Sequence, residues 1–122
     1  MPGATRARTA LVVEDEALVR CDIVQSLQSD GWQVLETASG EMAVDFLALH
    51  HVDVVFTDIQ LAGALSGWEV AEIARKVHPG VHVIYASGNA PDRQRQLEGT
   101  VFFDKPYVPD RVVATCRKCV ED

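Results

Sequence analysis

The chain has 122 residues, 48% of them hydrophobic, and carries a formal net charge of −7 at pH 7. This length suits one domain with a core of its own and is too short for two. The acidic balance argues against nucleic-acid binding through a basic surface, and the chain holds no apolar stretch close to the roughly 20 residues that cross a membrane.

The beginning of the chain and its cysteines bear on where the protein works. Residues 1–9 are rich in small and polar side chains, which predicts a flexible tail before a domain at residues 10–122. Arg6 and Arg8 are not followed by the apolar segment of a secretory signal. The three cysteines are an odd number and do not make a disulfide framework, so a cytoplasmic protein is expected. No linker or repeat indicates an attached output domain.

Apolar segments alternate with segments of helical periodicity along the rest of the chain. The predicted strands cover residues 10–13, 32–37, 52–58, 81–86 and 100–103. Four helices are predicted most clearly. The first begins after residue 16, the next two cover residues 40–50 and 67–77, and the last begins near residue 108. Their apolar or inward-facing residues are Val19, Ile23, Leu27, Met42, Phe46, Leu47, Leu49, Trp68, Ala71, Ile73, Val112, Val113, Cys116 and Val120. The stretch at 91–98 is polar and contains Pro91, which predicts a short or mobile fourth helix among five.

The order of these elements predicts the fold class. Strands that are joined through helices run parallel, and near-continuous apolar strands are covered on both faces. The chain is therefore expected to form an α/β, doubly wound, five-stranded parallel sheet with helices on both sides. Among doubly wound arrangements we favour the flavodoxin-like strand order 2-1-3-4-5, although periodicity alone is compatible with others.

Polar side chains stand at the carboxyl ends of four predicted strands. They are Glu14, Asp15, Asp58, Ser87 and Lys105. In a parallel sheet these ends lie at one edge, where such folds bind their ligands. Clustered carboxylates repel one another unless a cation joins them, and oxygen ligands beside phosphate favour Mg²⁺. The metal would allow the Asp58 carboxylate to attack a phosphoryl group, whose oxygens Lys105 and Ser87 would hold.

Five short motifs occur in order along the chain. They are Val12-Val13-Glu14-Asp15-Glu16, the strand that ends at Asp58, Gly67-Trp68-Glu69, Ser87-Gly88 and Lys105-Pro106. With them the chain resembles, over essentially its whole length, the receiver domain of two-component response regulators, the CheY-like family. The resemblance implies a signalling domain that takes a phosphoryl group from a histidine kinase or a histidine-containing phosphotransfer protein. It further implies self-catalysed transfer, slow autodephosphorylation, and signalling through a downstream protein target or phosphate flow. Neither nucleic acid nor a membrane is expected as a partner, because the chain is acidic and has no membrane-spanning stretch.

The resemblance also implies how the phosphoryl group and the metal are held. Asp58 corresponds to the phosphoacceptor. Asp15 and Asp58 would bind Mg²⁺ directly, and Glu14 would act mostly through water. The backbone carbonyl of Gln60 would supply a further ligand.

A second group of residues corresponds to the switch of the family. Ser87 matches the hydroxyl that moves to the phosphoryl group, and Lys105 matches its salt-bridge partner. Phe102 falls on the aromatic position that turns inward when the hydroxyl moves. Phe103 points to the opposite face of the strand and is expected to be plain core. The bond between Lys105 and Pro106 is expected to be cis, as the family usually shows.

Some features depart from the common pattern of the family. Ala62 stands where the acceptor loop usually has a proline, and the loop at 58–67 is about one residue longer than usual. The region at 87–105 is shorter than usual and leaves little room for the fourth helix, which is normally part of the partner surface. The motif Tyr85-Ala86-Ser87-Gly88-Asn89 is similar to the Phe-Ala-Thr-Gly motif of an alphaproteobacterial group of stand-alone receivers.

Other functions are compatible with an aspartate at the end of a strand. An aspartate-nucleophile phosphatase of the haloacid dehalogenase type needs a second carboxylate two residues after the nucleophile, where Gln60 stands. A flavin-binding electron carrier needs a loop that cradles a phosphate, and the loop at 14–17 is acidic. A degenerate receiver, acting as a phosphorylation-independent interaction module, is the stronger alternative, and the complete set of acidic residues argues against it.

Two hypotheses concern residues beside the site and near the end of the chain. Gln60 and Asn89 lie two residues after the acceptor and the switch hydroxyl, so we expect them to tune the dephosphorylation rate. Cys116 and Cys119 have a Cys-x-x-Cys spacing, but no second pair or histidine pattern completes a metal site. Core packing of Cys116 and incidental exposure of Cys119 are the expected outcome.

Overall fold

The computed structural model describes residues 7–89 and 92–121. Most of the tail predicted at 1–9 lies outside the described residues, as does Pro91. Thr9, the last residue of that predicted tail, belongs to the first strand. None of the helices in the described ranges has the length and apolar character that crossing a membrane requires.

A five-stranded parallel sheet forms the centre of the fold. Its strands are Thr9–Val13 (β1), Gln33–Thr37 (β2), Val54–Asp58 (β3), His82–Ser87 (β4) and Val101–Asp104 (β5). The strand order is β2-β1-β3-β4-β5, and every neighbouring pair is parallel. The predicted doubly wound α/β fold and its strand order are therefore confirmed.

Four helices cover the two faces of the sheet. They are Ala17–Ser29 (α1), Gly40–Leu49 (α2), Gly67–Val77 (α3) and Pro109–Val120 (α4). Helices α1 and α4 pack on one face, and α2 and α3 pack on the other. Ser39 caps α2 by accepting a hydrogen bond from the Met42 amide, and Ser66 and Glu69 form a reciprocal capping box at the start of α3.

Strand β1 shows how the sheet divides the core. Leu11 and Val13 belong to the cluster under α2 and α3, whereas Ala10 and Val12 belong to the cluster under α1 and α4. Successive side chains of a strand point to opposite faces, which explains the alternation. Every residue of β1 and β3 is buried. Burial of each Val or Leu side chain contributes about 1.5–3 kcal/mol, so these two central strands give the site a rigid base.

Two helices differ in detail from what their apolar residues indicated. In α3, Ile73 is only half-buried, whereas Val70 and Ala74 are buried because residues four apart share one face. In α2, Met42 is 46% exposed and Leu49 is 77% exposed. The buried residues of α2 follow the spacing i, i+3, i+7 and are Gly40, Ala43 and Leu47.

The segment between β4 and β5 contains little helix. Over residues 92–100 the only helical element is a 3-10 turn at Arg93–Arg95. Arg95 at the end of this turn pairs with Glu72 of α3 at a nitrogen–oxygen distance of 3.0 Å. The prediction of a short fourth helix is confirmed, and its mobility stays a prediction.

Candidate functional site

Three carboxylates meet at the carboxyl edge of the sheet. Because Val13 of β1 pairs with Thr57 of β3, the next residues, Glu14 and Asp58, emerge side by side. One carboxylate oxygen from each of Glu14, Asp15 and Asp58 lies within 4.8 Å of the other two. Glu14 and Asp58 are buried and Asp15 is exposed, so the acidic cluster opens to solvent on one side.

The ammonium group of Lys105 lies between two of these carboxylates. Its Nζ atom donates to Asp58 Oδ2 at 3.0 Å and to Glu14 Oε1 at 3.1 Å. The backbone amide of Lys105 donates to the Ser87 carbonyl at 3.0 Å, which holds the loop after β5 against the end of β4. The peptide bond between Lys105 and Pro106 is cis, as the resemblance implied. One positive charge therefore offsets part of the repulsion among the carboxylates.

The surroundings of these groups change their affinity for protons. Burial raises the pKa of Glu14 to about 7, and the charge of Asp58 adds to the rise, while the Glu16 amide and Lys105 oppose it. Burial acts to lower the pKa of Lys105, but its hydrogen bonds to Asp58 and Glu14 outweigh that effect and raise it. The ammonium therefore stays charged at neutral pH, and Glu14 binds a proton more readily than an exposed glutamate does.

The hydroxyl of Ser87 faces the loop that follows β4. It donates to the Asn89 carbonyl at 2.8 Å and accepts from the Asn89 amide at 3.1 Å. Ser87 is buried, and it follows Ala86, which pairs with Asp58 across β3 and β4. The side chain is therefore close to the acidic cluster, but its hydroxyl is hydrogen-bonded to the backbone of the loop. To reach a group on Asp58, the hydroxyl has to leave Asn89.

Comparison with protein families identifies this arrangement. The family model described as the response regulator receiver domain matches residues 10–117. The chain belongs to this family. The receiver is thus a signalling domain of two-component systems, rather than a conventional enzyme, and its acidic cluster is the phosphoacceptor pocket. Receiver domains work with histidine kinases.

Individual proteins resemble the receiver to different extents. The response regulator receiver protein of Sinorhizobium medicae WSM419 has a TM-score of 0.88 and 27% identity, covering 95% of this chain and 96% of that chain. The chemotaxis response regulator CheY4 of Vibrio cholerae shows the same fold, with a TM-score of 0.82, 19% identity, and coverage of 94% and 100%. Sensor kinase CckA of Brucella abortus is 34% identical over 119 residues, which are 93% of this chain and 12% of that protein. Transcriptional regulatory protein PdtaR of Mycobacterium tuberculosis is 28% identical over 82% of this chain and 50% of that protein. The receiver therefore spans at most half the length of these two relatives.

The acidic cluster of the receiver has the chemistry of a magnesium site. All three side chains offer carboxylate oxygens, the ligands that Mg²⁺ prefers in proteins. Within residues 7–89 and 92–121, no other group of histidine, cysteine and acidic side chains comes together in this way. Glu14, Asp15 and Asp58 are thus the residues that would hold the ion. The added role of the Gln60 backbone carbonyl stays a prediction.

The start of α3 packs directly against the backbone of Asp58, the predicted phosphoacceptor. A Cβ atom on Gly67 would lie 2.1 Å from the Asp58 carbonyl oxygen and 2.8 Å from the Ile59 Cα. The Gly67 amide donates to the Ile59 carbonyl at 2.7 Å. The Gly67 of the sequence motif is therefore needed for this close approach, because no side chain fits between the helix and the backbone at Asp58.

The aromatic ring at the predicted switch position is enclosed from two sides. Phe102 is half-buried, with ring centroids 6.3 Å from Trp68 and 6.2 Å from Tyr85. The guanidinium of Arg93 lies over it, 3.7 Å from the ring centroid. Arg93 was not predicted from the sequence, where its only signal is an arginine in the short polar stretch before β5. Phe103 is also half-buried and packs in the cluster under α1 and α4, as a core residue would.

The remaining residues singled out from the sequence lie in the loops after β3 and β4 or in α4. Gln60 and Asn89 are exposed in the loops after β3 and β4, and their effect on dephosphorylation stays a prediction. Cys116 is a core residue, as predicted, and burial raises the pKa of its thiol to about 12. Cys119 is half-buried. Both are free cysteines and contribute to no metal cluster in the described part of the chain.

Proposed function

We propose that the receiver accepts a phosphoryl group on Asp58, with Mg²⁺, from a histidine kinase or a histidine-containing phosphotransfer protein. It then signals by phosphorylation-dependent protein contact or by phosphate flow. The observation that carries the proposal is the buried Asp58 carboxylate, which lies beside Glu14 and Asp15 and accepts a hydrogen bond from Lys105. A carboxylate in this setting combines a nucleophile with the charges that a phosphoryl group needs around it.

The residues present account for the transfer step. A carboxylate oxygen of Asp58 attacks the phosphorus of a donor phosphohistidine. The O–P bond forms as the N–P bond breaks, and the imidazole nitrogen keeps the electron pair and takes up a proton. Bound Mg²⁺ supplies positive charge that offsets the charge of the phosphoryl oxygens. Lys105, whose Nζ atom is 3.0 Å from Asp58 Oδ2, supplies a second positive charge at the same place.

Ser87 and Phe102 are proposed to read the phosphorylated state. The Ser87 hydroxyl exchanges its hydrogen bonds with Asn89 for one to the phosphoryl group, and Phe102 follows by turning inward. Gln60 and Asn89 border the path of the hydrolytic water and tune the lifetime of the aspartyl phosphate. An unchanged lifetime after substitution of Gln60 or Asn89 would contradict this last assignment.

Two broader expectations complete the proposal. The relative at 34% identity is named as a sensor kinase, which supports a kinase as the source of phosphoryl groups. The cytoplasmic location stays a prediction. Detection of the protein in the cytoplasmic fraction of its host tests it.

Intact mass after incubation with Mg²⁺ and acetyl phosphate tests the central step. Wild type is expected to gain one phosphoryl group, and Asp58→Asn is expected to gain none. Omission of Mg²⁺ is expected to abolish the gain. No adduct on wild type, together with no Mg²⁺ binding, would overturn the proposal and favour a phosphorylation-independent interaction module. An adduct that persists in Asp58→Asn would place the acceptor elsewhere.

A further inference from the structure

The start of α2 contacts the acceptor loop, defined here as residues 59–66. Ser39, the residue before α2, forms an isolated parallel β-bridge with Ala62 of this loop. Glu41 in the first turn of α2 accepts a hydrogen bond from the Ala64 amide, with 2.9 Å between Oε2 and the nitrogen. Two contacts from one helix end therefore hold the middle of the loop that follows Asp58.

Glycines allow this close approach on both sides of the contact. Gly63 has a φ of +98°, and a Cβ atom there would lie 2.9 Å from Glu41 Oε1. Gly40, next to Glu41, faces Leu65, and a Cβ atom on Gly40 would lie 2.8 Å from the Leu65 Cβ. The loop is thus built to pass closely over the Glu41 carboxylate.

The charge of Glu41 is favourable at this position. Hydrogen bonding from the Ala64 amide is the main cause that holds the pKa of Glu41 below its usual range. Glu41 also lies at the amino-terminal end of α2, where the helix dipole favours a negative charge. The carboxylate is therefore ionised at neutral pH, and its bond to Ala64 is charge-assisted.

We propose that Glu41 is a positioning residue for the phosphoacceptor site. Its carboxylate fixes Ala64, and with it the acceptor loop that carries the backbone carbonyl of Gln60. The bond from the Gly67 amide to the Ile59 carbonyl joins the two ends of the loop, and Glu41 restrains the part between. A loop held in one conformation presents its carbonyl to Mg²⁺ without an ordering cost at the moment of binding. This inference rests on the proposed function.

Amide hydrogen exchange in the metal-free protein tests the contact itself. In Glu41→Ala, the exchange of the Ala64 amide is expected to accelerate about tenfold or more, as for loss of a hydrogen bond to a charged group. Glu41→Gln keeps an acceptor oxygen and is expected to restore part of the protection. Asp45→Asn is the matched control, because it removes one negative charge from an exposed position of the same helix. Amides of β1 and β3 report any general loss of stability.

The Mg²⁺ dissociation constant, followed by tryptophan fluorescence, tests the positioning role. We expect Glu41→Ala to weaken Mg²⁺ binding about tenfold, which is typical of residues that orient metal ligands. Phosphorylation by acetyl phosphate at low Mg²⁺ should slow in proportion, and Asp45→Asn should match wild type. Unchanged Ala64 exchange would overturn the contact, and faster exchange with unchanged Mg²⁺ affinity would overturn the positioning role. Failure of the proposed function shows in wild type as absent phosphorylation, whereas failure of this inference shows only in the variants.

Discussion

The guanidinium of Arg93 covers the face of Phe102 at 3.7 Å from the ring centroid. On its other sides the ring meets Trp68 and Tyr85. Over residues 92–100 the helical structure is limited to the 3-10 turn at Arg93–Arg95, and the Arg93 side chain from that turn shields the ring. Arg93 thereby replaces part of the cover that a full helix would give to this aromatic group.

Loss of this cover is expected to lower stability. Arg93→Ala should reduce the free energy of unfolding by about 0.5–1 kcal/mol, the value of a cation–π contact at an exposed site. Urea unfolding of wild type and Arg93→Ala measures this change in the free energy of unfolding. Gln94→Ala is the control, because Gln94 is exposed in the same turn and has no part in the ring contact. Equal losses in the two variants would show that the turn matters and the stacking does not.

Because Gly67 lies so close to Asp58, we expect a single methyl group added at Gly67 to lower both stability and the rate of phosphorylation. Gly67→Ala places a Cβ atom 2.1 Å from the Asp58 carbonyl oxygen, so backbone has to move. We expect a loss of about 1–3 kcal/mol in unfolding free energy and slower phosphorylation of Asp58. Gly80→Ala is the matched control, because nothing lies within 4 Å of its Cβ position. Its stability should stay within about 0.5 kcal/mol of wild type. A Gly67→Ala variant with wild-type stability and phosphorylation rate would refute the close approach.

Tyr85, which is buried, and Tyr107, whose hydroxyl is buried, are expected to respond in opposite ways to removal of the hydroxyl. The Tyr107 hydroxyl is buried with no hydrogen-bond partner among the described residues, and burial raises its pKa. Tyr107→Phe should therefore increase the unfolding free energy by about 1 kcal/mol. The Tyr85 hydroxyl accepts a hydrogen bond from the Leu97 amide at 3.3 Å, so Tyr85→Phe should lose about 1 kcal/mol. Thermal and urea unfolding measure both, and a destabilised Tyr107→Phe variant would reveal a partner for that hydroxyl.

The raised pKa of Glu14 predicts how the stability of the metal-free receiver depends on pH. Burial is the main cause that raises its pKa from the ordinary 4.5 to about 7. The folded state therefore favours protonated Glu14, and this stabilisation is complete below pH 4.5 and lost as pH rises through about 7. Urea unfolding with a chelator present should show Glu14→Gln with a flatter pH dependence than wild type over this window. Identical slopes in the two proteins would contradict the raised pKa.

Much of the site follows from the order of residues along the chain. The apolar segments predict parallel strands, and the ends of parallel strands share one edge of the sheet. That rule brings Glu14, Asp58 and Lys105 to the same edge, although 44 positions separate Glu14 from Asp58. The pairing of β1 with β3 then makes Glu14 and Asp58 neighbours. The prediction of a shared edge succeeds because it depends only on the strands being parallel, which the alternation of apolar strands and helices indicates.

Side-chain contacts between distant segments were decided only by the tertiary structure. The sequence of α2 gives no sign that Glu41 reaches Ala64, and the polar stretch before β5 gives no sign that Arg93 covers Phe102. Likewise, nothing in the sequence indicates that the Ser87 hydroxyl donates a hydrogen bond to the Asn89 carbonyl. These contacts depend on loop conformations and side-chain rotamers. A local sequence allows many of them, and only the packing of the whole chain selects among them. The sequence by itself determined which groups share the edge of the sheet, and the tertiary structure decided how each group is held there.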